Sequence, residues 1–126
     1  MYSYNSFHKV LLIFIVIGWA MFHFVSKNNE DLVYDNGNPI RTGEVKEHMN
    51  DGPWTWYFKN GKPQISGVFI EGKREGEWKI FDSLGNVLMK SNYQKNLLNG
   101  EQTYYNTDGT IQKVIFYKND NIVWKK

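Results

Sequence analysis

The sequence predicts an all-β fold: an antiparallel meander of stacked hairpin repeats forming one sheet, preceded by a single N-terminal transmembrane helix. Three observations predict it. Residues 10–25, "VLLIFIVIGWAMFHFV", carry no formal charge. Beyond residue 33, a stretch of one shape recurs with a period of 24 residues. Within each copy the side chains alternate with period two, and Gly follows Asn or Asp at fixed offsets.

The N-terminal run, 16 residues long, makes a helix of roughly 24 Å, slightly short of the ~30 Å hydrocarbon core. Lys9 and Lys27 flank it and can snorkel, while Trp19, Phe22 and Phe24 suit a membrane interface. A cleaved signal peptide is one alternative, opposed by the bulky end Met21-Phe22-His23-Phe24-Val25. A buried helix of the soluble part is the other. Lys9 precedes the run and mixed charges follow it, so the positive-inside rule places residues 1–9 in the cytoplasm. Residues 10–25 are then a signal anchor, 26–32 a polar linker and 33–126 the repeat domain. The expected localisation is single-pass membrane with the repeats on the non-cytoplasmic side. Secretion after cleavage is the alternative.

The chain's 126 residues suffice for one domain. A net charge of +2 argues against nucleic-acid binding through a basic surface. The lack of Cys removes disulfides, thiol catalysis and thiolate metal sites together. Aromatics, at 17% of the chain, are the one concentrated resource, and with abundant Gly they favour strands and tight turns.

The repeat reads "DGPWTWYFKNGKPQISGVF" at 51–69, "EGEWKIFDSLGNVLMKSNY" at 75–93 and "NGEQTYYNTDGTIQKVIFY" at 99–117. Its anchoring glycines are Gly52, Gly76 and Gly100, and nine residues on come Gly61, Gly85 and Gly109, with Gly37 in register in a partial first copy. Each unit divides into two strands. The first, as at 77–82, ends in a turn: "KNGK" at 59–62, "SLGN" at 83–86 or "TDGT" at 107–110. Asn-Gly and Asp-Gly tolerate the positive φ of tight hairpin turns. The second strand alternates as Val87, Met89, Ser91, Tyr93 in one copy and Ile111, Lys113, Ile115, Tyr117 in the next. A second turn falls at 71–76, 95–100 and 118–121, which gives about eight strands.

Stacking aligns Trp54 with Trp78, Tyr57 with Phe81 and Tyr105, and Phe69 with Tyr93 and Tyr117. Fifteen residues after each anchor comes Gly43, Gly67, Ser91 or Ile115. The glycines there would let a neighbouring aromatic lie across bare backbone. Gln102 stands where other copies have Trp, and Trp124 where Gly is expected, as befits a terminal capping unit. The residues expected to hold the repeat are therefore Gly52, Gly61, Gly67, Gly76, Trp78, Phe81, Gly85, Gly100 and Gly109.

The words "GPWTWYFKNGKPQISGVFIEGKREG" and "GEWKIFDSLGNVLMKSNYQKNLLNG" resemble the MORN repeat, and more closely its bacterial variant of this period. The resemblance covers residues 33–124. Bacterial chains of this kind are grouped as YwqK-type, antitoxin-like proteins, and that grouping implies a toxin partner bound by the repeat sheet. MORN arrays are implicated in protein and membrane-lipid contact, and the resemblance carries over no catalytic residue.

The residues themselves offer little chemistry. His8, His23 and His48 are too scattered for a metal site, and no H-E-x-x-H, P-loop or G-x-S-x-G pattern occurs. The glycines fall at strand-turn spacing without a following helix, which disfavours phosphate cradling. Glu71, Glu75, Glu77, Asp82 and Glu101 could pair across strands for acid–base work. A solvated, charge-balanced sheet edge is the simpler reading.

The expectation is thus a non-enzymatic module without cofactor or metal, tethered to the membrane and binding a partner protein, a toxin or another envelope component. Candidate binding residues are Trp54, Trp56, Tyr57 and Phe58. An envelope glycan stacked on surface aromatics is the alternative.

Overall fold

The computed structural model describes residues 32–126. The expected cytoplasmic N-terminus, anchor and nearly all of the linker lie outside the described residues. Among the described residues no helix is long and apolar enough to cross a membrane. Residues Tyr34–Lys126 make up one unit. Within it the strands are β1 (Arg41–Lys46), β2 (Met49–Tyr57), β3 (Pro63–Ile70), β4 (Lys73–Phe81), β5 (Val87–Gln94), β6 (Leu97–Tyr105), β7 (Ile111–Lys118) and β8 (Asn121–Lys125). They form one sheet in strict sequence order, each strand antiparallel to the next. The expected all-β meander is what this part of the chain forms.

Two kinds of turn alternate. At one end of the sheet the connections are wide. The Phe58 amide donates to Lys62 O at 2.8 Å and the Gly61 amide to Phe58 O at 2.9 Å; residues 82–86 and 106–110 repeat the pattern. Gly61, Gly85 and Gly109 take φ of 82°, 98° and 86°, a region that costs a side chain and costs glycine nothing. The wide turns also brace one another. Asn60 Nδ2 donates to Ser83 O at 2.8 Å, Lys62 Nζ to Leu84 O at 2.9 Å, and Asn38 Nδ2 to Lys59 O at 2.9 Å.

At the other end the turns shrink to two residues: Glu47–His48, Glu71–Gly72, Lys95–Asn96 and Asn119–Asp120. All eight residues have positive φ, the signature of type I′ hairpins, whose twist matches that of the flanking strands. This corrects the sequence reading twice. The Asn-Gly and Asp-Gly pairs serve the wide turns, and the broad second turn expected at 71–76 and 95–100 contracts to its first two residues. Gly76 and Gly100 consequently lie inside strands, at φ 70° and 106°.

The reason is a bulge. Between β3 and β4 the register runs Ser66↔Lys79 and then Val68↔Glu75, so two extra residues of β4 sit opposite Gly67. The same offset recurs at Thr42/Glu44 in β1–β2 and at Ser91/Tyr93 in β5–β6. A bulge of this kind bends the strand and sharpens its twist. The alternation of faces survives it, since Ser66, Val68, Glu75 and Lys79 all remain on one side.

A sheet of one layer buries little. Among the described residues the buried hydrophobics are Trp54, Trp78 and Ile115, joined by Ser91, Gln102 and Thr103. β1 and β8 are exposed along their whole length.

Candidate interaction face

Directly paired residues share a face, so the register sorts the strands into two surfaces. One surface is aromatic. Its middle row holds Trp54 opposite Gly67, then Trp78–Ser91–Gln102–Ile115. The Trp78 ring lies edge-on to Phe69 at 5.0 Å between centroids, and 6.1 Å from both Trp56 and Tyr93. Trp54 stands 5.6 Å from Trp56 and 6.2 Å from Phe69. Such ring pairs add about 0.5–1.5 kcal/mol each beyond the area they bury.

Each buried tryptophan covers a glycine of the preceding strand. A Cβ on Gly67 would fall 2.1 Å from the Trp78 ring, and one on Gly43 would fall 2.2 Å from the Trp54 ring. The expected overlay of aromatic on bare backbone is thus present in both copies that carry glycine. The indole completes the bulge as well: Trp78 Nε1 donates to Val68 O at 3.2 Å, and Trp54 Nε1 to Glu44 O at 3.1 Å. The third copy solves the same problem with polar atoms. Gln102 replaces the tryptophan and Ser91 the glycine, and Gln102 Nε2 donates to Ser91 Oγ at 2.9 Å while Ser91 is only 1% exposed.

The four candidate binding residues separate. Trp54 is 5% exposed and belongs to the packed interior. Trp56 is half-buried on the aromatic face. Tyr57 lies past a register shift on the opposite face, where its hydroxyl meets Thr42 Oγ1 at 3.1 Å. Phe58 sits in the wide turn, where alternation has ended.

A further row crosses the aromatic face nearer the wide turns. Successive pairings run Arg41–Trp56–Ile65–Ile80–Met89–Tyr104–Lys113. The five apolar members are half-buried, and the two cations that bracket them are exposed. Sequence reasoning passed over Arg41 and Lys113. A signal existed, since both occupy the repeat position held by Ile65 and Met89 in the central copies.

The other face is mixed: it carries most of the charged residues of the strands, and it also exposes Met49, Val68, Ile70, Leu97 and Trp124. Its equivalent row is Thr42–Thr55–Ser66–Lys79–Lys90–Thr103–Val114. The acids once weighed for chemistry serve structure here or in turns. Glu75 Oε2 accepts the Lys95 amide at 2.9 Å, Glu101 Oε1 accepts Thr103 Oγ1 at 2.6 Å, and Glu77 pairs with Lys79 at 3.1 Å. Asp82 accepts the Asn86 side chain and two turn amides, all at 2.9 Å, and these bonds hold its carboxyl below the usual carboxylate range. Hydrogen bonds from Thr110 lower Asp108 likewise. Both shifts stabilise ionised carboxylates inside turns, the reverse of what a general acid needs.

A family model described as a MORN repeat variant matches residues 50–71, 74–95 and 98–119, together more than half of the chain. No curated protein matches it. MORN repeats are modules of protein and membrane interaction. With three matched units, each a β-hairpin in one continuous sheet, the chain belongs to the MORN repeat variant family.

Proposed function

We propose that the chain is a non-catalytic module, tethered to the membrane by residues 10–25, whose aromatic sheet face binds a partner protein in the manner of an antitoxin. A toxin or another envelope component is the partner class. One observation carries this reading: a half-buried apolar row crosses a sheet that has no second layer among the described residues. Contiguous apolar surface of this kind marks interaction sites, and aromatic rings at their centre dominate the binding energy.

Affinity capture from native membranes, with the full chain as bait, tests the face. Trp56→Ala is expected to weaken capture by more than about 1 kcal/mol, while Phe116→Ala on the opposite face leaves it unchanged. Equal capture by the two variants removes the aromatic face as the site.

The tether has its own check. Ser83 lies exposed in a wide turn, so Ser83→Cys offers a thiol in a chain that otherwise has none. Labelling by an impermeant reagent in intact cells, with any outer barrier permeabilised, is the expected result. Labelling only after lysis places the repeats in the cytoplasm, and a shortened mature chain shows cleavage.

A further inference from the structure

The two faces differ in charge. On the aromatic face the strands carry Arg41, Arg74, Lys113 and Lys125 and no carboxylate at all. The opposite face is balanced, with Glu44, Asp51, Glu75, Glu77 and Glu101 set against Lys46, Lys73, Lys79, Lys90 and Lys118. A net charge of +2 for the whole chain conceals this segregation.

Three of the four cations of the aromatic face rest on rings. The Lys113 ammonium is 4.3 Å from the Tyr104 ring centroid, the Arg74 guanidinium 4.0 Å from that of Tyr93, and the Arg41 guanidinium 5.8 Å from that of Trp54. A cation–π contact orients a cation without neutralising it. Among the described residues the ion pairs within 4.0 Å are Lys59–Asp35 and Lys79–Glu77, and neither involves the aromatic face.

The geometry of the row narrows the occupant. Arg41 and Lys113 stand six strand spacings apart, or about 29 Å at ~4.8 Å each. The side chains between them offer a guest backbone only the Trp56 indole N–H and the Tyr104 hydroxyl, too few to satisfy an extended segment. An extended segment laid across them would bury unpaired amides, whereas a helix satisfies its own. A helix of about 20 residues spans about 30 Å. Carboxylates near its two ends would meet Arg41 and Lys113, while an apolar stripe covers Trp56, Ile65, Ile80, Met89 and Tyr104. The opposed charges then fix the position of the stripe along the row, and the absence of acids on this face removes the penalty for bringing carboxylates to it.

We propose that the partner presents an acidic amphipathic helix of about 20 residues, lying across the strands between Arg41 and Lys113. The proposal rests on the binding reading given above and names the chemistry of its partner.

The test uses the full chain in neutral lipid nanodiscs and two labelled helical peptides of about 20 residues. Both peptides carry leucines at i, i+3, i+4, i+7 spacing; one has glutamates in its first and last turns and the other has lysines there. Fluorescence anisotropy measures binding to the native chain and to the Arg41→Glu/Lys113→Glu double variant, whose changed positions are exposed. The native chain is expected to prefer the acidic peptide by about tenfold or more, with the preference reversed in the double variant, which also shows that the variant is folded. Trp56→Ala is expected to weaken both peptides.

Equal affinity for the two peptides overturns the proposal, as does an acidic preference that the double variant retains. Failure to bind the acidic peptide, alongside capture of phosphatidylglycerol vesicles that depends on Arg41 and Lys113, also overturns it and assigns the face to an anionic bilayer. The two readings fail separately. Loss of native capture by Trp56→Ala without any charge preference keeps the binding face and removes the acidic helix. Native capture that survives Trp56→Ala removes both.

Discussion

Gly67→Val is expected to destabilise the repeat domain by ~1.5–4.5 kcal/mol, and by more than Ser91→Val does, although the two positions are equivalent in the repeat. At Gly67 a Cβ would stand 2.1 Å and 2.2 Å from two atoms of the Trp78 ring. The ring cannot remain. Its displacement strains a packed cluster, which alone costs ~1–3 kcal/mol. The Val68 carbonyl then loses the indole N–H that satisfies it at 3.2 Å, a further ~0.5–1.5 kcal/mol. Ser91 already carries a Cβ that its surroundings accept, so valine there adds one methyl at a buried site and removes the acceptor of Gln102 Nε2, a smaller change than the eviction of an indole ring. Urea unfolding of the two variants, monitored by tryptophan fluorescence, makes the comparison. Equal midpoint shifts would show that Trp78 relocates without cost and that the glycine is incidental.

Trp78→Ala is the second large effect, at ~3–5 kcal/mol. Trp78 is 8% exposed and its ring touches Phe69, Trp56 and Tyr93, which come from the strands on both sides as well as from β2. Removing it opens the middle of the aromatic cluster and bares the backbone at Gly67. A domain of this size has ~5–15 kcal/mol in total, so the variant loses a large share of its stability. Trp124→Ala is the control. That ring is 50% exposed and, among the described residues, packs against the Phe116 ring at 5.2 Å, so its loss is expected to cost no more than ~1 kcal/mol. Similar melting temperatures for the two alanine variants would refute the assignment of Trp78 to the interior.

Much of this architecture is visible in the residues before any coordinates. The 24-residue register, the alternation of Val87, Met89, Ser91 and Tyr93, and the offset between Gly67 and Trp78 are enough for the meander and for the covered glycine. The two-residue turns were harder to read. Glu47–His48 and Lys95–Asn96 lack the Asn-Gly signature of a type I′ hairpin and adopt it because the flanking strands impose it. Gly76 and Gly100 read as turn residues because positive φ is commonest in turns, but here the bulge requires it within a strand. Among the binding candidates, the sequence brought Trp54, Trp56, Tyr57 and Phe58 together by adjacency. Burial, a register shift and the end of β2 then gave them different surroundings.

Period and composition are enough to require one sheet of repeated hairpins held together by aromatics and glycines. Those properties are local or periodic, and a period is preserved in one dimension. Which residues become neighbours across the strands depends on how the strands pair in the folded sheet. The row Arg41–Trp56–Ile65–Ile80–Met89–Tyr104–Lys113 interleaves two repeat positions that are far apart in each copy, and it exists because the hairpin turns and bulges set the pairing register. A slip of one residue would send every one of these side chains to the other face. The segregation of charge between the faces is therefore a consequence of register, which composition and periodicity leave open.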